Sequence, residues 1–167
     1  MQDVKLFDNR LLFKDELVSE TDMPTMFSNK RIVMFGLPGA FTPTCSGKQL
    51  PAYEDMYEQF IATDKVDAVY CVSVNDHFVM NAWGKDLGIQ KVKLIPDGNG
   101  ALTRQLGMLV DKPVQQFGLR SWRYSSYVVN GIVKKMFIEP GINNMSDDED
   151  PYEESTPEKI LDYVKSL

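Results

Sequence analysis

Two sulfur nucleophiles, Cys45 and Cys71, and one imidazole, His77, are the residues of this sequence with the most obvious chemistry. A single histidine makes a poor start for a Cys/His zinc site. A Ser-His-Asp hydrolase would have to use His77, with no G-x-S-x-G elbow to present its serine. The chemistry therefore rests on a cysteine, and the two cysteines differ in setting. Cys45 follows a buried-strand pattern and falls in the first turn of a helical one. Backbone N–H groups there lack intrahelical partners, and the helix dipole favours negative charge. Since the thiolate is the nucleophile and an ordinary thiol is only about 3% ionised at pH 7, that position favours reactivity. Cys71 lies mid-run in an apolar strand pattern, where a cysteine behaves as a small inert hydrophobe.

The elements that must position Cys45 are legible as patterns. Residues 31–36 form a short apolar run, a buried strand. From about Thr44 to Ile61 the period turns helical, with Leu50, Tyr53, Tyr57, Phe60 and Ile61 at three- and four-residue steps and a kink expected at Pro51. Residues 68–74 read as a second buried strand. Asn75 is expected to cap a helix through Phe78, Ala82 and Trp83 that ends at Gly88. Residues 91–95 read as a third strand, followed by a turn-rich loop, Pro96-Asp97-Gly98-Asn99-Gly100. Asn130-Gly131 between residues 122–129 and 132–138 is a strong hairpin signal, since a type I′ turn needs positive φ at both positions. Thr156 and Pro157 mark the N-cap and first residue of a last helix reaching about Val164. Residues 141–156, with Asp147-Asp148-Glu149-Asp150, read as an exposed acidic loop.

The 167 residues suit one domain with a sizeable core, taken as 1–167. A net charge of −6 argues against a nucleic-acid binder, which would show a basic face, and against an anionic membrane surface. No apolar run approaches a membrane span. The first residues lack the basic and apolar regions of a signal peptide, so a cytoplasmic location is expected.

Pro38-x-x-x-Thr42-x-x-Cys45 matches the peroxiredoxin motif P-x-x-x-T-x-x-C, and the longer run Pro38-Gly39-Ala40-Phe41-Thr42-Pro43 with Cys45-Ser46 resembles the type-V branch. The resemblance continues in residues 72–76, 78–83, 96–100, 121–125 and 135–140 and covers most of residues 4–140. The last three stretches are similar to bacterial hybrids in which such a domain is fused to a glutaredoxin. The resemblance implies an α/β, thioredoxin-like fold with an N-terminal extension, and a peroxidase with no bound cofactor or metal. It implies that Cys45 is the peroxidatic cysteine, that Thr42 hydrogen-bonds thiolate and peroxide, and that Pro38 shields the sulfur. Arg123 would pair with the thiolate and polarise the peroxide; arginine stays charged and offers several donors, which suits an anionic sulfur and a leaving alkoxide. Gly39 and the backbone of Thr44 and Cys45 would contact the peroxide. Phe117 is expected at the mouth of an apolar pocket. Arg120 and Arg104 carry no comparable expectation and are read as solvated. Relatives pair through the face carrying the active-site loops, which implies a homodimer.

No cysteine follows Cys71, so the late resolving cysteine of mammalian type-V relatives is absent. A one-cysteine cycle follows, in which an outside thiol reduces the sulfenic acid. The hybrid resemblance points to glutathione with a separate glutaredoxin; thioredoxin is the rival. A redox-sensing or chaperone module would use the same thiol without turnover. A thioredoxin-like disulfide oxidoreductase is disfavoured, because Cys45-Ser46-Gly47-Lys48 has no thiol at its fourth position.

Overall fold

The computed structural model describes residues 23–167. The N-terminal extension expected from the sequence, and the part of the resemblance before residue 23, lie outside the described residues.

Strand β1 (Arg31–Leu37) is the middle of a five-stranded sheet. On one side it pairs in parallel with β2 (Ala68–Ser73), which pairs in parallel with β3 (Lys93–Pro96). On the other it pairs antiparallel with β6 (Tyr124–Val129), which pairs antiparallel with β7 (Ile132–Ile138). The order is β3-β2-β1-β6-β7. Successive side chains of a strand point to opposite faces, and β1 divides its apolar run accordingly. Ile32 and Met34 join one core with Tyr70, Val72 and Ile95, whereas Val33, Phe35 and Leu37 join the other with Val69 and Cys71. Both faces are thus covered, which is why β1 and β2 read as continuous apolar runs rather than alternating ones. This is the thioredoxin-like α/β arrangement expected from the sequence.

The second core carries the helices that matter for Cys45. Leu50 and Tyr53 of α2 (Leu50–Asp55), Phe60 of α3 (Tyr57–Ile61), Met80 and Trp83 of α4 (His77–Asp86) and Ile160, Leu161 and Val164 of α6 (Pro157–Lys165) all enter it. The first core takes Met26 and Phe27 of α1 (Met23–Phe27) and Leu102 of α5 (Ala101–Gln105). Among the described residues no helix is long and apolar enough to cross a membrane.

Several expectations need correction. The 44–61 helix breaks at Met56 (φ −91°, ψ 2°) rather than at Pro51. Residues Cys45–Gln49 form a π turn, with Leu50 N–H bonded to the Cys45 carbonyl. A wider turn just before Pro51 relieves the clash its ring would make with the carbonyl four residues back. Asp76, not Asn75, caps α4, accepting from Val79 N at 2.9 Å. Asn75 Oδ1 instead accepts from Ala40 N (3.0 Å) and Ser73 Oγ (2.6 Å), tying the Cys45 loop to the end of β2. Thr156 stands at the N-cap of α6 but its side chain makes no capping bond. A small hairpin of β4 (Leu109–Lys112) and β5 (Gly118–Ser121) is an element no short-range signal marked.

Two local expectations hold. Asn130 and Gly131 have φ of 50° and 74°, as a type I′ turn requires. Gly88, at φ 66°, follows the end of α4. At Gly36 the requirement is space: a Cβ there would stand 2.2 Å from Tyr124 Cε1 across the β1–β6 pair.

Candidate active site

Cys45 lies where β1 hands over to α2. The chain leaves Leu37, passes Pro38 and Gly39, and enters helical geometry at Pro43. Phe41 takes a left-handed backbone (φ 61°), which costs a bulky residue about 1–2 kcal/mol. The first bond into the helix runs from Ser46 N to Thr42 O at 2.9 Å, so the Thr44 and Cys45 N–H groups precede it. Ser46 Oγ accepts from Trp83 Nε1 (2.9 Å), which fastens this turn to α4.

The Cys45 side chain is buried at 1% exposure. Arg123, the residue before β6, is equally enclosed at 2% and donates through Nη1 to Cys45 Sγ at 3.6 Å. The same Nη1 donates to Gln49 Oε1 at 2.5 Å. Its Nη2 pairs with Asp150 Oδ1, and its Cζ lies 5.7 Å from the Tyr152 ring centroid. Burial weakens the Arg123 cation, but the negative charges of Cys45 and Asp150 outweigh it, so the guanidinium is held above its usual range.

Thr42 Oγ1 donates to the Gly39 carbonyl at 2.7 Å, which engages its one proton and leaves its lone pairs as acceptors. Thr42 lines a cleft of about 150 Å³ together with Pro38, Pro43, Phe117 and Asp150. Phe117 is half-buried, and Arg120 Cζ stands 5.3 Å from its ring centroid. Gly39 lies on the other side of Arg120: a Cβ at Gly39 would meet Arg120 Nη1 at 2.9 Å. Of the residues expected from the sequence, Pro38, Thr42 and Phe117 line this cleft; Cys45 and Arg123 lie buried behind it, joined to its wall through Asp150, and Gly39 accepts from Thr42.

Cys71 is in the middle of β2, between Phe35 of β1 and Leu94 of β3, and is fully buried. Burial pushes its thiol well above the ordinary range, and the nearby Cys45 charge adds to this. Cys71 is therefore a packing residue held in the thiol form. Among the described residues, no three His, Cys, Asp or Glu side chains cluster as metal ligands would.

One expectation fails at this site and another is incomplete. Arg120 is not solvated: it is half-buried, its Nε donates to Phe117 O at 2.9 Å, and burial lowers its cation's pKa against the opposing pull of Cys45. Arg104 is exposed. The acidic segment is exposed at Asp147, Glu149 and Asp150, as expected, but it is anchored and not free. Asp148 makes a buried ion pair with Lys112 at 2.5 Å, and Lys112 Nζ lies 4.6 Å from the Trp122 ring centroid. At the segment's other end Glu139 Oε1 accepts the N–H groups of Glu153, Glu154 and Ser155 at 2.8–2.9 Å. Gln49 sits four residues after Cys45, a same-face spacing that could have flagged it. Asp150 and Lys112 reach the site only through tertiary contacts, and no local pattern marks them.

A thiol buried at the start of a helix, against a guanidinium and beside a small cleft, defines on this fold a thiol-based oxidoreductase site. Residues 8–155 match the Redoxin family. A peroxiredoxin of Sinorhizobium fredii, y4vD, is 53% identical over 141 residues, which is 84% of this chain and 74% of that one. The hybrid peroxiredoxin hyPrx5 of Haemophilus influenzae is 48% identical over 83% of this chain, which spans 55% of the hybrid's length. A solved structure of the Plasmodium falciparum antioxidant protein, a 1-Cys peroxiredoxin, superposes with a TM-score of 0.84 at 40% identity, covering 89% of this chain and 83% of that one. The chain belongs to the redoxin family and is a peroxiredoxin, a thiol peroxidase.

Proposed function

We propose that Cys45 is the peroxidatic cysteine and that the enzyme runs a one-cysteine cycle on hydrogen peroxide and small alkyl hydroperoxides. The observation that carries this reading is the enclosed Cys45 Sγ with Arg123 Nη1 at 3.6 Å. The thiolate attacks one peroxide oxygen. The O–O bond breaks, the sulfur becomes a sulfenic acid, and the departing oxygen leaves as water or an alcohol after taking up a proton. Arg123 supplies positive charge and N–H donors where that charge develops, which is the larger part of such catalysis. Thr42 Oγ1, its proton engaged by Gly39, accepts a hydrogen bond from a peroxide O–H and turns the peroxide toward the sulfur. In this reading the Thr44 and Cys45 N–H groups, which precede the first helical bond, serve as further donors to the peroxide, and Pro38 and Phe117, which line the cleft, serve to shield the sulfur from water.

The sulfenic acid needs a thiol. Cys71 is a poor partner, since a disulfide requires Cβ atoms roughly 3.5–4.5 Å apart with suitable directions, and Cys71 is fixed mid-strand. An external thiol attacks instead, forming a mixed disulfide and releasing water, and a second thiol restores Cys45. Glutathione with glutaredoxin is the reductant we favour, on the sequence resemblance to glutaredoxin-fused hybrids; the likeness to a 1-Cys peroxiredoxin supports the external thiol. A reductant must reach a sulfur that is 1% exposed, so the first turn has to open for it, and the π turn at Cys45–Gln49 is a natural place to open.

Peroxide-dependent NADPH consumption, coupled in turn to glutathione/glutaredoxin and to thioredoxin, tests the pair. Intact mass after one equivalent of peroxide tests the cycle: added oxygen is expected, and a glutathione adduct once glutathione is supplied. Loss of two hydrogens as the main product would mean an internal Cys45–Cys71 disulfide and would make thioredoxin the better candidate.

A further inference from the structure

Arg123 has more to do than its contact with sulfur explains. Its Nη1 is shared between Cys45 Sγ and Gln49 Oε1, its Nη2 is taken by Asp150, and its buried Nε has no partner among the described residues. A guanidinium is planar, so fixing Nη2 fixes the direction of Nη1. Asp150 does not reach Arg123 from a loose loop. Its backbone takes a left-handed φ of 52°, and its N–H donates to Asp148 Oδ1 at 2.9 Å. Asp148 is itself buried against Lys112 on β4. Beyond Asp150, the buried Glu139 carboxylate gathers three successive backbone N–H groups, and Tyr53 OH donates to Ser155 O at 2.7 Å. The segment is a strap secured on both sides of the two side chains it presents to the arginine, the Asp150 carboxylate on Nη2 and the Tyr152 ring 5.7 Å from Cζ, of which only Asp150 bonds an N–H and so sets the direction of the plane. Asp150 keeps 46% of its side chain in water, but the guanidinium it meets is only 2% exposed and the strap that carries it is anchored on both sides, which an incidental surface pair would not show.

We propose that Asp150 is a positioning residue: from the acidic strap it holds the Arg123 guanidinium so that Nη1 faces the Cys45 sulfur and the peroxide bound against it. This rests on the reading of Cys45 and Arg123 given above. Asp150 never touches the reacting atoms. Its charge opposes the positive potential at the sulfur, so its service is orientation and not thiolate formation.

Two rates separate those roles. Peroxide oxidation needs a correctly aimed arginine, whereas alkylation by iodoacetamide needs only an available thiolate. Single-turnover oxidation of Cys45 by hydrogen peroxide and alkylation at the same pH would be measured in the wild type, Asp150→Ala and Asp150→Asn. Asp150→Ala is expected to slow oxidation at least about tenfold with alkylation equal to or faster than wild type. Asp150→Asn keeps an oxygen that accepts from Nη2 and is expected to recover a substantial part of the lost oxidation rate. An Asp150→Ala protein within about twofold of wild type in oxidation, or one in which both rates fall together, overturns the proposal. A wild type in which peroxide leaves Cys45 untouched, while alkylation modifies it, overturns the Cys45–Arg123 reading itself.

Discussion

Arg123 and the two cysteines define the residue scale. Cys45→Ser is expected to abolish peroxide reduction, while Cys71→Ser keeps most of it, because one thiol faces a guanidinium and the other is packed mid-strand in thiol form. Steady-state turnover with a folded-state spectrum as control decides it: loss of turnover in folded Cys71→Ser would show that a resolving thiol had been taken for a packing one. Arg123→Met is expected to slow peroxide oxidation at least tenfold, about 1.4 kcal/mol of barrier. It should slow alkylation at neutral pH as well, since the cation against the sulfur is gone. That joint loss is the opposite of the pattern expected for Asp150→Ala. Unchanged rates for both reactions in Arg123→Met would place the arginine outside the chemistry.

At the scale of elements, the site depends on two junctions. The first is β1 against β6, where Gly36 leaves room for Tyr124 next to Arg123. Gly36→Ala would put a Cβ 2.2 Å from a Tyr124 ring carbon, and overpacking of that kind costs about 1–3 kcal/mol. The expected outcome is a lower urea midpoint with unchanged slope; an unchanged midpoint would mean that the Tyr124 ring can move aside. The second junction is β4 against the acidic strap. Lys112→Ala strands the buried Asp148 carboxylate and removes the cation over Trp122. Breaking one half of a buried pair costs about 3 kcal/mol, so the denaturation midpoint should fall clearly. A change of a few tenths of a kcal/mol would show that water reaches Asp148.

For the whole molecule, the two cores on either side of the sheet enclose several acids that are neutral at pH 7. Burial raises the Cys71 thiol and the Tyr53 and Tyr124 phenols well above their ordinary ranges, and pushes Tyr70 up to about 12. Each holds its proton more tightly folded than unfolded. The stability tied to them is complete below the unfolded values, about 8.5 for the thiol and about 10 for the phenols. It is lost as pH rises through those values toward the folded ones, at about 1.4 kcal/mol per pH unit for each group that has ionised only in the unfolded chain. Urea midpoints are therefore expected to fall steeply between about pH 9 and pH 11. A flat profile over that interval would contradict the enclosure of these phenols.

The order of strands and helices around Cys45 was legible in the sequence because its signals are local. A strand buried on both faces must be apolar throughout, a hairpin with two positive φ angles selects Asn130-Gly131, and Pro38, Thr42 and Cys45 lie within eight residues of one another. Arg123 was legible only through resemblance, since nothing in the neighbours of an arginine between two strands says that it will face a cysteine 78 positions away. The β4–β5 hairpin was not legible, because its short strands carry no sustained alternation and its connection carries no two-residue turn signal. The acidic run shows the sharpest division. By composition Asp147-Asp148-Glu149-Asp150 is a solvated loop, and charge density alone supports that reading. Only tertiary structure brings Lys112 from β4 and Arg123, the residue before β6, beside it, 36 and 27 residues distant, so that the Asp148 carboxylate, which could not be buried as a charge without a partner, is enclosed against Lys112. By itself the sequence determined which cysteine opens a helix and the elements that carry it; the partners of the arginine came from contacts that exist only once the sheet is assembled.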